Sequence, residues 1–229
     1  MKVALLYFDG CPNVETAYSR LKEALENLAP GTLIEKVNIQ SEADARAHKF
    51  YGSPSVHIDG VDLEHDEARP SAMTCRIYDD GAPPRWLIEA KILRAQSLKG
   101  ILFLCVANSA RSQIAEGIAR KLAPPNVQIQ SAGSHPTSVR SEAIQVLSEL
   151  GIDPAAHRSK NVSDIEPSTV DTVITLCAEE ECPLFIGRAF RLHWGLPDPA
   201  AWTGPQETRL NAYRQIRDEL TRRITPLFC

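Results

Sequence analysis

Residues 100–113 read GILFLCVANSARSQ and place an apolar run, a cysteine, a polar loop and an arginine in direct succession. The run Gly100–Leu104 is typical of a short, fully buried strand, and the apolar spacing after Ser112 predicts a helix over 111–122. Cys105 is therefore predicted to lie at a junction between a strand and a helix.

Strands and helices are predicted to alternate around this junction. The strands are expected at 101–105, 127–131, 171–176 and near 190–193, and the helices at 111–122, 140–150 and 206–224. The last helix has one apolar face, formed by Leu210, Tyr213, Ile216, Leu220 and Ile224. Such alternation predicts a parallel sheet covered by helices on both sides, with the functional site at the carboxyl ends of the strands.

The first half of the chain is predicted to form a separate, small α/β domain over residues 1–96. Its strands are expected at Val3–Phe8, Leu33–Ile39, Val56–Ile58 and Val61–Glu64, and its helices at Pro12–Leu28, Glu42–Phe50 and Pro84–Gln96. The polar connector RAQSLKG, residues 94–100, leads into the second domain, which is expected over residues 100–229. The predicted fold class is α/β with two domains.

The composition restricts the partners and the compartment. A net charge of −4 without any basic run argues against nucleic acid or an anionic membrane as a partner. No apolar run is long enough for a membrane helix, and the amino terminus turns polar too soon for a signal peptide, so a cytoplasmic protein is expected. In a reducing compartment the six cysteines, at positions 11, 75, 105, 177, 182 and 229, are expected to be catalytic, redox-active or metal-binding rather than structural. No metal site is predicted, because neither His57 nor His65 nor the C-x4-C pair has further ligands at a metal-site spacing.

The five residues between Cys105 and Arg111 are predicted to form an oxyanion-binding loop. If their N–H groups point inward at the start of the helix, they form an anion cradle, and Arg111 adds a planar fork that matches two oxygens. The same positive field favours a thiolate at Cys105, to which Ser112 can donate a hydrogen bond. The expected substrate-binding residues are Val106, Ala107, Asn108, Ser109, Ala110, Arg111 and Ser112. The alternative is that Cys105 is only a small apolar residue at the end of a buried strand.

The pattern C-x5-R-S between a strand and a helix resembles the low-molecular-weight protein tyrosine phosphatase superfamily. Residues 103–117, FLCVANSARSQIAEG, are similar to its arsenate reductase branch. The resemblance implies a parallel-sheet, phosphatase-like domain in which Cys105 is the nucleophile. It also implies that Asp198, in the Asp-Pro pair of LHWGLPDPAAW, is the general acid.

An arsenate reductase that uses thiols also needs electrons, and Cys177 and Cys182 lie together in the segment TLCAEEECPLF. The resemblance to thioredoxin-coupled arsenate reductases implies that Cys105 attacks arsenate and that Cys177 then attacks the sulfur of Cys105 and releases arsenite. Cys182 would next close a Cys177–Cys182 disulfide. The four-residue spacer is shorter than in the better-known members of that branch. No bound cofactor is expected, and the electron donor would be thioredoxin, glutaredoxin or a low-molecular-weight thiol.

The first domain resembles thioredoxin-like and glutaredoxin-like proteins over residues 1–95. Cys11, in FDGCPNV, precedes a helix, and Pro54, in GSPSVHIDG, precedes a strand that would face it. The resemblance implies a cis peptide bond before this proline and a redox role for Cys11. The second cysteine of a C-x-x-C motif falls on Val14, so a thioredoxin-type internal disulfide is excluded.

These residues together predict an enzyme, an arsenate reductase that converts arsenate to arsenite. One hypothesis is that the first domain reduces the oxidised enzyme. Cys11 would attack the Cys177–Cys182 disulfide, and a small thiol or Cys75 would complete the reduction. The rival is a first domain that docks a partner or binds metalloid through a single thiol. Two other functions stay open: a phosphatase that hydrolyses phosphate monoesters, and a non-catalytic metalloid or redox sensor.

Overall fold

The computed structural model describes residues 1–65, 69–153, 155, 157–178 and 183–229. These residues form two compact units, Met1–Gln96 and Ser97–Cys229. Each unit has its own four-stranded sheet and its own helices. The prediction of an α/β protein is therefore confirmed.

The first unit is built on a mixed sheet. Its elements are β1 (Val3–Tyr7), α1 (Val14–Leu28), β2 (Ile34–Asn38), α2 (Glu42–Ala47), β3 (Ser55–Ile58), β4 (Val61–Asp62) and α3 (Arg85–Ala95). The strand order is β2-β1-β3-β4. β1 pairs in parallel with β2 and antiparallel with β3, and β3 pairs antiparallel with β4. The peptide bond between Ser53 and Pro54, directly before β3, is cis.

Helix α1 has the apolar face that its sequence spacing predicts. It begins at Val14 rather than at Pro12, because Asn13 takes a non-helical conformation with φ −96° and ψ 0°. Residues three and four apart along the helix are buried, namely Val14, Ala17, Leu21, Ala24, Leu25 and Leu28. The start of the helix thus follows a turn that contains Cys11.

Helix α2 is shorter than predicted. It ends at Ala47 rather than at Phe50, because Lys49 takes the left-handed conformation with φ +48°. The N–H of Phe50 then bonds to the carbonyl of Ala45 at 2.8 Å. This turn directs the chain inward, and Phe50 joins a buried cluster with Leu6, Ile39 and Ala45.

The second unit has an all-parallel sheet. Its elements are β5 (Gly100–Cys105), α4 (Arg111–Leu122), β6 (Gln128–Gly133), α5 (Ser141–Glu149), β7 (Thr172–Cys177), β8 (Phe190–Leu196) and α6 (Gln206–Phe228). The strand order is β6-β5-β7-β8, and every neighbouring pair is parallel. Helices α4, α5 and α6 pack against one another. The predicted parallel sheet is confirmed, and β5 and β7 are its two central strands.

Strand β5 is the buried strand that the apolar run Gly100–Leu104 predicts. All six of its residues are buried. Leu102 and Leu104 belong to one cluster with residues from β6, β7 and the following loops, namely Ala132, Ile165, Val170, Val173 and Phe185. Because side chains alternate between the faces of a strand, Phe103 and Cys105 point to the other face.

Strand β8 and helix α6 extend beyond their predicted ends. β8 reaches Leu196, because Trp194 and Leu196 continue the alternation of buried and exposed residues. α6 continues past Pro226 to Phe228, and the N–H of Cys229 still bonds to the carbonyl of Thr225 at 2.9 Å. Across the described residues, no helix is both long and apolar enough to cross a membrane.

Candidate active site

Cys105 lies at the carboxyl end of β5, at the junction that the sequence predicts. Its side chain is buried, with 3% of the residue exposed. Its Sγ lies 2.9 Å from the Oγ of Ser112, in the first turn of α4. The strand therefore places the thiol at the amino terminus of a helix, the end that carries the positive pole of the helix dipole.

The loop of residues 106–110 points its carbonyl groups outward. Four successive carbonyls accept hydrogen bonds at 2.6–3.0 Å: Val106 from the N–H of His135, Ala107 from that of Thr137, Asn108 from the hydroxyl of Ser159, and Ser109 from the N–H of Arg140. In a trans peptide, the N–H of the next residue points opposite to the carbonyl. The N–H groups of residues 107–110 therefore face the inside of the loop, as an anion cradle at the start of α4 requires.

Asn108 fastens this loop from within the unit. It is fully buried and takes the left-handed conformation, with φ +44°, which asparagine adopts more readily than most residues. Its Nδ2 donates to the hydroxyls of Ser112 and Ser131, each at 2.8 Å. Its Oδ1 accepts from the backbone N–H of Lys160 at 2.7 Å and from Nε2 of Gln113 at 3.1 Å. These bonds hold the loop to α4, to β6 and to the chain before Asn161.

Replacing Asn108 by alanine is expected to lower the free energy of unfolding by about 2–4 kcal/mol, because buried polar groups lose their partners. The N–H of Lys160 would lose its acceptor, and the hydroxyls of Ser112 and Ser131 would lose a donor. Chemical denaturation would measure the loss. The matched control is Gln130→Ala, which removes a partly buried amide whose Nε2 donates to the hydroxyl of Thr169 at 2.9 Å. An equal loss in the two variants would contradict the role given to Asn108.

A buried polar network lies beneath the loop, and its residues are not among those predicted from the sequence. Ser131 donates to the carboxylate of Glu116, which also pairs with the Nζ of Lys160 at 3.2 Å. The Nδ1 of His157 donates to the Oε1 of Gln113 at 3.0 Å. Burial lowers the pKa of His157 and so favours its neutral ring. The signal in the sequence is the pair Gln113 and Glu116, two polar residues on the buried side of α4.

Gly133, at the end of β6, lets the loop approach that strand. It pairs with Cys105 in the sheet. A Cβ atom at this position would lie 2.4 Å from the carbonyl oxygen of Val106, 2.8 Å from the N of Asn108 and 2.9 Å from the carbonyl oxygen of Cys105. All three atoms belong to the backbone, which cannot rotate away as a flexible side chain can. Only glycine fits here without a shift of the loop, and no local sequence pattern marks this position.

Arg111 is held at the carboxyl ends of β7 and β8. It is buried, with 4% of the residue exposed. Its Nη1 donates to the carbonyl of Leu196 at 2.9 Å and to that of Leu176 at 3.5 Å. Its Nη2 lies 3.8 Å from the Oδ1 of Asp198, whose side chain is 38% exposed. Asp198 also accepts from the N–H of Ala200 at 3.1 Å, which fixes the carboxylate at the start of a 3-10 turn, Pro199–Ala201.

Cys177 lies on the strand next to that of Cys105. It is the last residue of β7 and is fully buried, and Leu104 pairs with Thr175 across the two strands. Neighbouring strands are about 4.8 Å apart. The pairing of β7 with β8 shifts its register between Thr175 and Cys177, an irregularity that is common beside active sites. Cys182 lies outside the described residues.

The predicted site residues divide between the two units. Cys105, the loop, Arg111, Ser112, Asp198 and Cys177 lie together at the carboxyl ends of the parallel strands. Cys11 and Pro54 belong to the first unit, where Cys11 is half-buried. Among the described residues, no group of three or more His, Cys, Asp or Glu side chains is placed to hold a metal ion.

The second unit has relatives among proteins of known family and structure. Residues 100–228 match the family described as low molecular weight phosphotyrosine protein phosphatase. An arsenate reductase of Halalkalibacterium halodurans is 37% identical over 128 residues, which are 55% of this chain and 92% of that protein. An arsenate reductase of Bacillus subtilis is 34% identical over 128 residues, with the same two coverages, 55% and 92%.

Among solved structures, an arsenate reductase in the phosphate binding state superposes with a TM-score of 0.50 and 28% identity, over 57% of this chain and 97% of that one. The family match, over residues 100–228, spans the parallel sheet, the loop after Cys105 and Arg111. The chain belongs to the low molecular weight phosphotyrosine protein phosphatase family.

Proposed function

We propose that this protein is an arsenate reductase that uses Cys105 as its nucleophile and Cys177 and Cys182 as its electron source. The observation that carries the proposal is the position of Cys177, buried at the end of the strand beside that of Cys105. A phosphatase needs the loop, the arginine and the acid, but it has no use for a second thiol at this place. The curated relatives named arsenate reductase support the same reading.

The cradle and Arg111 bind the tetrahedral oxyanion. The inward N–H groups of residues 107–110 and the guanidinium of Arg111 present hydrogen-bond donors to its oxygens, and these donors are fixed before the substrate arrives. The bonds from Arg111 to the carbonyls of Leu176 and Leu196 restrict its fork to one orientation. The hydroxyl of Ser112, 2.9 Å from the Sγ of Cys105, can donate a hydrogen bond to the thiolate that attacks arsenic.

Reduction proceeds by three displacements. In the first, the Cys105 sulfur forms a bond to arsenic, and one arsenic–oxygen bond breaks; Asp198 gives a proton so that the oxygen leaves as water. In the second, the Cys177 thiolate attacks the Cys105 sulfur, and the electron pair of the sulfur–arsenic bond stays on arsenic, which leaves as arsenite. In the third, the Cys182 thiolate attacks the Cys177 sulfur and Cys105 leaves as a thiolate.

Cys105, Cys177 and Cys182 together form a thiol relay, and the cycle ends with a Cys177–Cys182 disulfide. Reduction of this disulfide needs two electrons from outside the relay. A thiol reductant, either a thioredoxin-type protein or a small thiol, supplies them by the same exchange chemistry. The relay also needs its cysteines as thiols at the start, so it operates in a reducing compartment such as the cytoplasm.

The first unit is proposed to be a thioredoxin-like domain. Its mixed sheet, with β1 between β2 and β3, supports this assignment, as does the cis bond before Pro54 at the start of β3. Cys11 precedes α1 at the place where such domains carry their reactive thiol. The boundary at Gln96 and Ser97 agrees with the polar connector in the sequence.

The first test is a single-turnover measurement of arsenite release. Fully reduced protein with arsenate and no added thiol is expected to release at least about one arsenite per chain. The Cys177 and Cys182 thiols of one chain supply the two electrons that reduce one arsenate. Mass mapping is expected to find Cys177 joined to Cys182. A Cys229→Ser variant is the control, since that residue lies exposed at the chain end. No arsenite, with steady hydrolysis of an aryl phosphate, would instead establish a phosphatase.

A further inference from the structure

The first unit contains a second pair of cysteines, Cys11 and Cys75, which the relay does not use. Cys11 is half-buried in the turn before α1, where its N–H bonds to the carbonyl of Phe8 at 3.3 Å. Cys75 is exposed and lies in the irregular chain between β4 and α3. Cys11 and Cys75 are 64 positions apart in the sequence, so only the fold can bring them together.

Backbone pairing fixes Cys75 beside the cis proline. The N–H of Ser53 donates to the carbonyl of Thr74 at 2.8 Å, and the N–H of Arg76 donates to the carbonyl of Ser53 at 2.9 Å. These two bonds form a parallel bridge between Ser53 and Cys75. Cys75 is therefore opposite the residue that immediately precedes Pro54.

The sheet register brings the Cys11 turn to the same end of the unit. Leu6 on β1 pairs with Ser55 on β3, so the chain that leaves β1 towards Cys11 runs past Pro54 and Ser53. Phe8 and Met73, which precede Cys11 and Cys75 by a few residues, pack against the same buried cluster. The turn that carries Cys11 and the segment that carries Cys75 thus both adjoin the cis-proline loop.

The chain after Cys75 also reaches the start of α1. A Cβ atom on Gly81 would lie 2.5 Å from the Oδ1 of Asn13, so Gly81 is in close contact with that side chain. Arg20, further along α1, pairs with Asp80 at 2.6 Å. The segment that carries Cys75 is consequently tied to the cis-proline loop at one end and to the Cys11 helix at the other.

A buried ion pair holds this segment in place. The guanidinium of Arg76 donates to the two carboxylate oxygens of Asp62 at 2.6 and 2.8 Å, and to the hydroxyl of Ser55 at 3.0 Å. Burial opposes the charge of Asp62, but the ring of His57 and the guanidinium of Arg76 outweigh it and hold the pKa of Asp62 well below its ordinary value. Cys75 is therefore an exposed thiol directly before a buried and paired arginine.

We propose that Cys11 and Cys75 form a thiol–disulfide couple that resets the relay. The Cys11 thiolate attacks one sulfur of the Cys177–Cys182 disulfide and forms a mixed disulfide, releasing the other cysteine as a thiolate. The Cys75 thiolate then attacks the Cys11 sulfur, which frees the second relay cysteine and leaves a Cys11–Cys75 disulfide. Two electrons pass from one pair to the other, and two small thiols or one dithiol protein restore the Cys11–Cys75 pair. The identity of the acceptor rests on the proposed function, whereas the couple itself does not.

The stoichiometry of arsenite release tests the transfer. Fully reduced protein with excess arsenate and no added thiol is expected to release about two arsenite ions per chain, because two dithiol pairs hold four electrons. Cys11→Ser and Cys75→Ser variants are expected to release about one each, and the Cys229→Ser control about two. One arsenite from all four proteins would overturn the transfer. No arsenite from any of them would overturn the proposed function instead.

A second measurement tests the couple independently of arsenate chemistry. A Cys105→Ser chain is equilibrated in mixtures of reduced and oxidised glutathione, and its disulfides are mapped by mass spectrometry. The expected product is an intramolecular Cys11–Cys75 disulfide that appears over a single range of redox potential. Glutathione attached to Cys11 while Cys75 stays a thiol, at every mixture, would overturn the proposal.

Discussion

A chain that carries Cys105→Ser is expected to release no arsenite and to hydrolyse no aryl phosphate, with a loss of at least about 1,000-fold in either reaction. Serine preserves the shape of the buried side chain and its contact with Ser112. Its hydroxyl, however, is not ionised near neutral pH, and it cannot take part in thiol–disulfide exchange. Arsenite release from reduced protein, assayed with and without added thiol, measures the effect.

The same experiment on Cys177→Ser separates the two chemistries of the site. Cys105 would still attack the oxyanion, so any hydrolysis of an aryl phosphate is expected to persist at the wild-type rate. Without Cys177, the proposed relay loses the thiol that attacks the sulfur of Cys105, and arsenite release in the absence of added thiol is expected to fall below detection. Wild-type release of arsenite from Cys177→Ser would remove Cys177 from the relay. Release from Cys105→Ser would place the nucleophile elsewhere.

The junction at Cys105 could be predicted because its signals are local. A strand with all six residues buried requires a continuous apolar run, and Gly100–Cys105 supplies one. The spacing from Cys105 to Arg111 is set within one loop, so the sequence pattern alone is enough to predict a cradle at the start of α4. The end of β8 at Leu196 is less predictable, because Gly195 interrupts the segment with a residue type that is rare in strands.

The support of the site could not be predicted, because it depends on contacts between residues far apart in the sequence. Asn108 is held by Ser131 and by the N–H of Lys160, 23 and 52 positions away. No local pattern identifies such partners, because serine hydroxyls and backbone N–H groups occur along the whole chain. The position of Cys75 beside Pro54 is another case, because the segment that carries it has no helical or strand periodicity.

Gly133→Ala is expected to slow arsenite release, although Gly133 is not one of the residues proposed to bind the substrate. The added Cβ would overlap the carbonyl oxygen of Val106, 2.4 Å away, and crowd the N of Asn108 at 2.8 Å. Overpacking of this kind costs about 1–3 kcal/mol of stability. Since the crowded atoms are the backbone of the loop, relief of the contact moves the cradle, and a displacement of about 1 Å can cost roughly 100-fold in rate. The rate of arsenite release and the free energy of unfolding are measured on the same preparation.

Gly151→Ala is the matched control for this substitution. Gly151 belongs to the same unit, its φ is +69°, and a Cβ there would have no neighbour within 4 Å. Alanine at this position is expected to cost about 1–2 kcal/mol through its left-handed backbone, with no change in the rate of arsenite release. The two variants thus share a loss of stability and differ in activity, because only Gly133 touches the loop. If Gly133→Ala lost stability but kept the wild-type rate, the cradle would not depend on its close approach to β6.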